Sequence, residues 1–275
     1  MQFIWPLLYK LALPVIVIIA AFKLGGWMAG TAAVLVFFGI LGYFGRAGVY
    51  AMRASNAYNA GKQEEALLLF EKAHRTGHMA VHQASSYGYL LLRSGRTEQA
   101  EGVLTQAMQS RNKNRMERLM VETNYALLLW KLGRVSEAVK LLEQLRRDYR
   151  HTTVYGSLGY LLLLEGDLDH ALDVNLEAVQ FNDSDPVILD NLGQTYIARG
   201  EFEKAAELYD KLEERKPVFP EAYYYHALVL LHQEKTEAAR AKLQQALECR
   251  FTALQTVTRE QVEQRLASLP SPAEA

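Results

Sequence analysis

Cysteine is almost absent from this sequence of 275 residues, where Cys249 is the only one. A chain with a single thiol forms no internal disulfide, which excludes the disulfide-stapled class of small secreted domains and favours a reducing compartment. A surplus of charge of either sign is absent too, because 30 Lys and Arg face 31 Asp and Glu. This balance excludes a bulk nucleic-acid-binding protein, and a content of 50% hydrophobic residues excludes a disordered chain.

Acidic residues are missing from the front of the chain, since the first one is Glu64. Two apolar runs fill this part, from about residue 3 to 22 and from about residue 27 to 44. Each run approaches the roughly 20 apolar residues that a membrane-spanning helix requires. We predict a transmembrane helical hairpin over residues 1–45 that turns at residues 23–26 and contacts the lipid bilayer. A single span and a cleaved signal peptide are the alternatives.

The few cations near the apolar runs predict an orientation. A hairpin places Lys10, Arg46 and Arg53 on one side of the membrane and Lys23 on the other. Because positively charged residues favour the cytoplasmic side, we predict a multi-pass protein of the cell membrane, with two spans and the rest of the chain in the cytoplasm. No proline interrupts residues 27–60, so the second span is predicted to run on into the next helix without a linker.

Motifs for catalysis and cofactor binding are also absent. The sequence has no glycine-rich phosphate loop, no Cys-x-x-Cys, no His-Glu-x-x-His and no Gly-x-Ser-x-Gly. His74, His78 and His82 have helical spacing, but Gly77 interrupts the face that they share, so no metal site is predicted. We therefore predict a protein that is not an enzyme and that carries no cofactor.

What the sequence does contain is a repeated pattern. Six alanines each stand five residues after a pivot residue, and the steps between consecutive alanines are 34, 38, 33, 34 and 34 residues. A fixed period in this range predicts a stack of repeated units. Residues four and seven after each alanine, such as Phe70 and Ala73, share one helical face with it, so each unit is predicted to turn between two helices at its pivot. The pivots are Gly61, Gly95, Gly133, Gly166, Gly200 and Glu234. The alanines are Ala66, Ala100, Ala138, Ala171, Ala205 and Ala239.

This pattern resembles the tetratricopeptide repeat. The fifth copy is the best match, and the residues in the family's slots are Leu192, Gly193, Tyr196, Gly200, Ala205, Tyr209 and Pro217. The resemblance implies an all-α, right-handed solenoid of about six helix-turn-helix repeats over residues 46–250. The repeats are placed at about 47–80, 81–114, 119–151, 152–185, 186–219 and 220–251. The fourth copy departs from the pattern, because Asn175 occupies a slot for a large apolar side chain.

The chain end is predicted to close the stack. Residues 252–275 are expected to form a capping helix and a disordered tail, since an exposed solenoid end needs a cover with a polar outer face. Thr258 and Gln261 have the spacing of a capping box at the start of that helix. The tail is expected to begin at Pro270.

The resemblance also implies where a partner binds. In this family the first helices of successive repeats line a concave groove, and tyrosine and side-chain amide groups suit the binding of a peptide. We predict a membrane-tethered scaffold that holds an unidentified protein or peptide in this groove, with polar residues that serve no ligand as the alternative. The groove residues are Tyr58, Asn59, Ser85, Tyr89, Arg93, Asn124, Leu127, Lys131, Tyr160, Asp190, Asn191, Gln194 and Tyr224. Among them, Asn124 and Asn191 match a slot that contacts ligand backbone in some family members.

A second surface is predicted at two neighbouring turns between repeats, which share one edge of a solenoid. Its cations are Arg111, Lys113, Arg115, Arg118, Arg146, Arg147 and Arg150, called the basic edge below. The edge suits anionic lipid or an acidic partner, which gives a regulatory module as the alternative function. Solvated cations at helix ends are the purely structural interpretation. Aromatic residues do not interleave with these cations, so no nucleic acid partner is predicted, and a homo-oligomer is left open.

Overall fold

The computed structural model describes residues 5–111 and 113–270, and all regular structure within them is helical. This agrees with the all-α prediction. Residues 3 and 4 of the first apolar run, the side chain of Lys10 and the tail after Pro270 lie outside the described part. The helices are α1 (Trp5–Asn59), α2 (Gln63–Arg75), α3 (Val81–Arg93), α4 (Thr97–Gln109), α5 (Arg115–Lys131), α6 (Val135–Asp148), α7 (Thr152–Glu165), α8 (Leu168–Phe181), α9 (Pro186–Ala198), α10 (Phe202–Glu213), α11 (Pro220–His232), α12 (Thr236–Glu248) and α13 (Arg259–Ala267).

The chain forms two compact units, and the first extends to Gln83. Its main element is α1, which has non-helical backbone at Gly26, with φ 71° and ψ −171°. Glycine adopts this positive φ without the steric cost that a side chain would add. The Phe22 ring lies against Gly30, so close that a Cβ there would collide with it. The non-helical backbone is therefore limited to Gly26, whereas the predicted turn covers residues 23–26. Small residues lie beside Gly26.

The two halves of α1 differ in what they bury. Within the described residues, Ala12–Asn59 is the one helical stretch long and apolar enough to cross a membrane. Its large apolar side chains are exposed, as Leu24 shows at 90% and Leu35 at 73%. Further along, α1 continues without interruption and buries small residues beside α2, which are Ala47, Ala51, Ala54 and Ala57. Helix α1 thus contains an exposed apolar stretch and, after it, the part that pairs with α2.

The second unit, from Ala84 onward, is built from the helix pairs α3–α4, α5–α6, α7–α8, α9–α10 and α11–α12. In three pairs a glycine of the first helix faces the position for a large side chain on the second helix. The helices are so close there that a Cβ added to the glycine would lie within 3 Å of the opposing side chain. These contacts are Gly88 with Leu104, Gly159 with Asn175, and Gly193 with Tyr209. The repeated alanines of this unit are fully buried at the same helix contacts. Small residues therefore set the spacing within each pair, as their period predicts.

The turns inside the pairs use the left-handed backbone conformation. The pivot glycines Gly95, Gly133, Gly166 and Gly200 all have φ between 76° and 86°. Glu234 occupies the same place in the last pair and takes φ 61° in spite of its side chain, at a cost of about 1 kcal/mol. The geometry of the turn is thus kept where the glycine has been lost.

Helix α13 covers the end of the stack. The predicted capping box is confirmed, because the Thr258 side chain accepts from the Gln261 backbone N–H and the Gln261 side chain accepts from the Thr258 backbone N–H. Val262 is fully buried in a cluster with Leu243 and Ala246 of α12. Between α12 and α13 runs a non-helical segment, Arg250–Val257, which we call the connector.

Candidate functional site

A cavity of about 500 Å³ lies in the second unit, lined by α3, α5, α7, α9, the start of α11 and the connector. First helices of successive pairs thus provide its walls, which is where the sequence places the groove. Seven of the predicted groove residues line it: Tyr89, Arg93, Leu127, Tyr160, Asp190, Asn191 and Gln194. Its volume is in the range of ligand pockets in proteins.

The two asparagines predicted to contact ligand backbone bond instead to the preceding helix pair. The Asn124 Nδ2 donates to the carbonyl and the Oγ of the buried Ser85, at 3.2 and 2.9 Å. In the same way the Asn191 Nδ2 donates to the carbonyl of Gly156 at 2.8 Å. Both bonds join a first helix to the first helix before it. They tie neighbouring pairs together, so these amide donors are already used inside the protein.

The remaining predicted groove residues lie elsewhere or have other contacts. The Lys131 Nζ donates to the carbonyl of Ala253 in the connector at 2.7 Å. Tyr224 packs edge-on against Tyr225, with ring centroids 5.4 Å apart, near the α11–α13 cluster. Tyr58 and Asn59 lie at the end of α1, in the first unit. The structure therefore brings together most, but not all, of the predicted set.

Several cavity residues were missed by the sequence analysis. Trp130 packs edge-on against Tyr160 at 5.2 Å and closes one side of the cavity. The connector contributes Arg250, Thr252, Leu254 and Gln255. Because the connector follows the last repeat and has no periodic pattern, nothing in the sequence indicates that it lines the groove.

Two buried carboxyl groups form the acidic part of the cavity wall. Asp190 accepts from the Gln194 Nε2 at 2.7 Å and from the Tyr209 hydroxyl at 3.1 Å. Burial, and then the nearby Glu221, raise the pKa of Asp190 to about 8. Burial raises the pKa of Glu221 to about 7. Both groups are thus partly protonated near neutral pH, and the wall carries less negative charge than two ordinary carboxylates would.

Most cations of the basic edge have partners nearby. Arg118 forms ion pairs with Glu122 at 2.7 Å and with Asp148 at 3.1 Å. Arg146 pairs with Glu143 and Glu177, and Arg150 pairs with Glu177 as well. These contacts neutralise much of the charge that the sequence places there.

Two more cations of the basic edge contact main-chain oxygens. The Lys113 Nζ donates to three carbonyls at the end of α4, those of Ala107, Met108 and Ser110. This is a favourable place for a cation, because the unpaired carbonyls of a helix end carry partial negative charge. Arg115 donates to the Asp148 carbonyl at 3.3 Å and stacks on Tyr149. Arg111 and Arg147 are exposed.

The histidines with helical spacing do not gather around a common point. His78 packs against the ring of Phe44, with centroids 4.8 Å apart, in the first unit. Among the residues that the structure describes, no group of three His, Cys, Asp or Glu is placed to hold a metal ion.

Comparison with known proteins identifies the repeat. A sequence profile described as tetratricopeptide repeat matches residues 125–186 and 191–251. Over 58 residues the chain is 40% identical to the BBSome complex member BBS4 of Bos taurus. That match covers 21% of this chain and only 11% of the bovine protein.

Solved structures of other proteins share the fold, among them the following two. The first is pilF of Pseudomonas aeruginosa, with 16% identity and a TM-score of 0.57, covering 82% of this chain and all of that one. The second is PilW, a type IV pilus biogenesis factor, with 13% identity and a TM-score of 0.60, covering 74% of this chain and 92% of that one. Identities this low indicate the fold and leave function open.

Proposed function

Because the chain belongs to the tetratricopeptide repeat family, whose members act in general as protein-interaction scaffolds, we propose that it is a membrane-tethered scaffold. It holds a protein or peptide partner in the cavity between the first helices of its repeats. The observation that supports this is the cavity of about 500 Å³, with Tyr89, Leu127 and Trp130 as apolar and aromatic contacts. Aromatic side chains in a concave surface provide large, rigid contact area for a partner.

The membrane part of the proposal rests on α1. Large apolar side chains such as Leu24, Trp27 and Leu35 are exposed there, and a soluble unit would bury them. We place this apolar stretch in the bilayer as a hairpin that turns at Gly26, where the backbone leaves the helical conformation. The cation distribution favours repeats on the cytoplasmic side of the cell membrane.

Crosslinking of the full chain in its native membrane tests the groove. The variant Tyr89→Ala with Leu127→Glu alters the cavity, and we expect it to lose the crosslinked partner. The matched control, Arg111→Glu with Arg147→Glu, alters the exposed cations of the basic edge and is expected to retain it. The opposite result, loss in the edge variant and retention in the groove variant, would support the regulatory module that binds anionic lipid or an acidic partner.

Topology is tested separately. Reporter domains fused after the last residue and inserted at Gly26 should report the cytoplasmic and the external side, respectively. Reporters that place both positions on one side would exclude the hairpin. The crosslinking result does not depend on this outcome.

A further inference from the structure

The connector Arg250–Val257 lies in the groove itself, although it belongs to the far end of the repeat array. The Ala253 N–H donates to the Arg93 carbonyl at the end of α3, at 3.0 Å. The Ala253 carbonyl accepts from the Lys131 Nζ at the end of α5, at 2.7 Å. The connector thus reaches from α12, the last repeat helix, to the first two helix pairs of its unit.

Several of the contacts that hold the connector are made by its main chain, beside side-chain contacts such as those of Phe251 and Val257 with the α12–α13 cluster. Besides the two bonds of Ala253, the Thr256 N–H donates to the Glu221 Oε1 at 3.1 Å. Thr252–Gln255 forms a turn, closed by a bond from the Gln255 N–H to the Thr252 carbonyl at 3.2 Å. Main-chain atoms are the same in every sequence, so a loop from another protein can offer the same donors and carbonyls.

The two groups that hydrogen-bond to Ala253 belong to residues that the sequence assigns to partner binding. Arg93 and Lys131 are predicted groove residues, and both contact Ala253. A third, Tyr160, is half-buried in the wall near Thr256. The connector therefore uses the atoms that a partner in the groove would need.

The connector is also weakly anchored compared with the helices around it. It has no regular secondary structure, and residues 251–256 are only half-buried. Val257, fully buried next to α13, is its one strongly buried apolar side chain. Segments with few buried apolar contacts open at a lower free energy than the cores beside them.

We propose that the connector is a built-in peptide ligand of the groove, and that a partner binds by inserting a loop whose main chain takes the place of the Thr252–Gln255 turn. This inference rests on the groove function proposed above and names the kind of partner. The partner loop presents a carbonyl to the Lys131 Nζ and an N–H to the Arg93 carbonyl. The connector occupies the groove until a partner loop replaces it.

A synthetic peptide of residues 250–258 is the probe, added to the full chain in detergent micelles and followed by fluorescence anisotropy. The test variant replaces residues 250–257 with eight glycine and serine residues, so that α13 stays attached. We expect the peptide to bind this variant and to bind the unaltered chain at least about tenfold more weakly, because the tethered connector competes at a millimolar effective concentration. Adding Lys131→Met to the variant should weaken peptide binding again.

A disulfide lock tests the exchange in the native connector. An added Cβ at Gly95 would lie 3.6 Å from the Ala253 Cβ, which suits a disulfide. In a Cys249→Ser background, Gly95→Cys with Ala253→Cys should show no peptide binding when oxidised and weak binding when reduced. Gly95→Cys alone is the control for the strain that a side chain adds at the positive φ of this turn.

Hydrogen exchange covers the case in which the replaced variant does not fold. We expect the amides of Ala253 and Thr256 to exchange at least about tenfold faster than those of the α7 core, through local opening. Exchange of all these amides at one common rate would make the connector a permanent part of the fold and overturn the proposal. Equal peptide binding to the replaced and unaltered chains, or binding to neither, would overturn it as well. Partner crosslinking is scored separately, so a failed scaffold function leaves these results intact.

Discussion

The groove and the basic edge both carry polar groups and belong to the same unit, but these groups differ in burial and in bonding partners. In the groove, Asp190 and Asn191 are buried and bond to residues on other helices. At the basic edge, Arg118 is half-buried and Arg150 is exposed to solvent, and both pair with carboxylates of nearby helices. A buried polar group without a partner costs far more free energy than an exposed one. The groove residues are therefore tied to the fold, whereas the edge residues can change at little cost.

The largest expected effect comes from Tyr209→Ala behind the groove. The Tyr209 ring packs on Gly193 and its hydroxyl donates to the buried Asp190, so the change leaves a cavity and removes a hydrogen bond. We expect a loss of about 3–5 kcal/mol in the free energy of unfolding, measured by urea denaturation of the full chain in detergent. Tyr149→Ala, beneath Arg115 at the edge, is the control and should cost markedly less. Equal losses would break the comparison.

The pH dependence of the free energy of unfolding is a second way to compare the buried groove residues with the exposed ones. The pKa of Asp190 is about 8 in the folded chain and near 3.8 when unfolded, and the pKa of Glu221 is raised in the same direction, to about 7. Between these values the folded chain holds protons that the unfolded chain has lost. The free energy of unfolding therefore falls as pH rises through this window, by about 3–4 kcal/mol between pH 5 and pH 8 from Asp190 alone.

Asp190→Asn should remove much of that slope and raise the melting temperature at pH 8. Asp183→Asn, at an exposed residue that pairs with Lys211, is the matched control and should leave the slope as it was. Circular dichroism melts of the three chains at pH 5, 6, 7 and 8 provide the measurement. A slope that Asp190→Asn leaves unchanged would show that this carboxyl is ionised in the folded chain.

The features that the sequence predicts are those with local contacts along the chain, and the features that it misses depend on contacts between distant residues. The period of the six alanines predicts the all-α repeats, because small residues must recur wherever two helices approach closely, as at Gly88 and Gly193. The capping box at Thr258 is predicted for a similar reason, since both of its bonds are local. Features that depend on spacing along one helix are visible in one sequence.

Features that depend on long-range bonds are not visible in this way. Asn124 and Asn191 are side chains of the type that binds peptides, and only their distance to Ser85 and Gly156 reveals that their donors are occupied. The connector reaches Arg93 through main-chain atoms, which carry no sequence signal. At the front of the chain, apolar length predicts a helix for the membrane, whereas its number of spans depends on the bend at Gly26.

The third prediction concerns the amide ties between helix pairs. Asn191→Ala removes the side-chain donor from the buried Gly156 carbonyl, and we expect a loss of about 1–3 kcal/mol. Asn124→Ala should cost less, because Asn124 is only half-buried and water that fills the place of its side chain can donate to the buried Ser85. Urea denaturation of both variants ranks them. The reverse order would mean that burial does not determine the value of these bonds.

A gain of stability is expected at Asn175, where the fourth repeat departs from its family pattern. Its Nδ2 donates to the Thr195 Oγ1 at 3.0 Å, but its buried Oδ1 has no partner among the described residues. Leucine fits the equivalent slot opposite Gly88, where Leu104 stands. We expect Asn175→Leu to stabilise the chain by about 1 kcal/mol. A loss instead would indicate that the Thr195 bond is worth more than the unpaired oxygen costs.

The smallest effect is expected at the basic edge itself. Arg111 and Arg147 are exposed, and charge reversal at such positions changes stability by about 0.5 kcal/mol or less. Arg146→Glu is the informative counterpart, because it places a third carboxylate beside Glu143 and Glu177 and should cost about 1 kcal/mol. The melting temperatures of Arg111→Glu with Arg147→Glu and of Arg146→Glu, compared at low and high salt, measure this difference. Since added salt screens exposed charges, the Arg146→Glu loss should shrink with salt. A loss above about 1 kcal/mol in the double variant would contradict the expectation that exposed cations of the edge change at little cost.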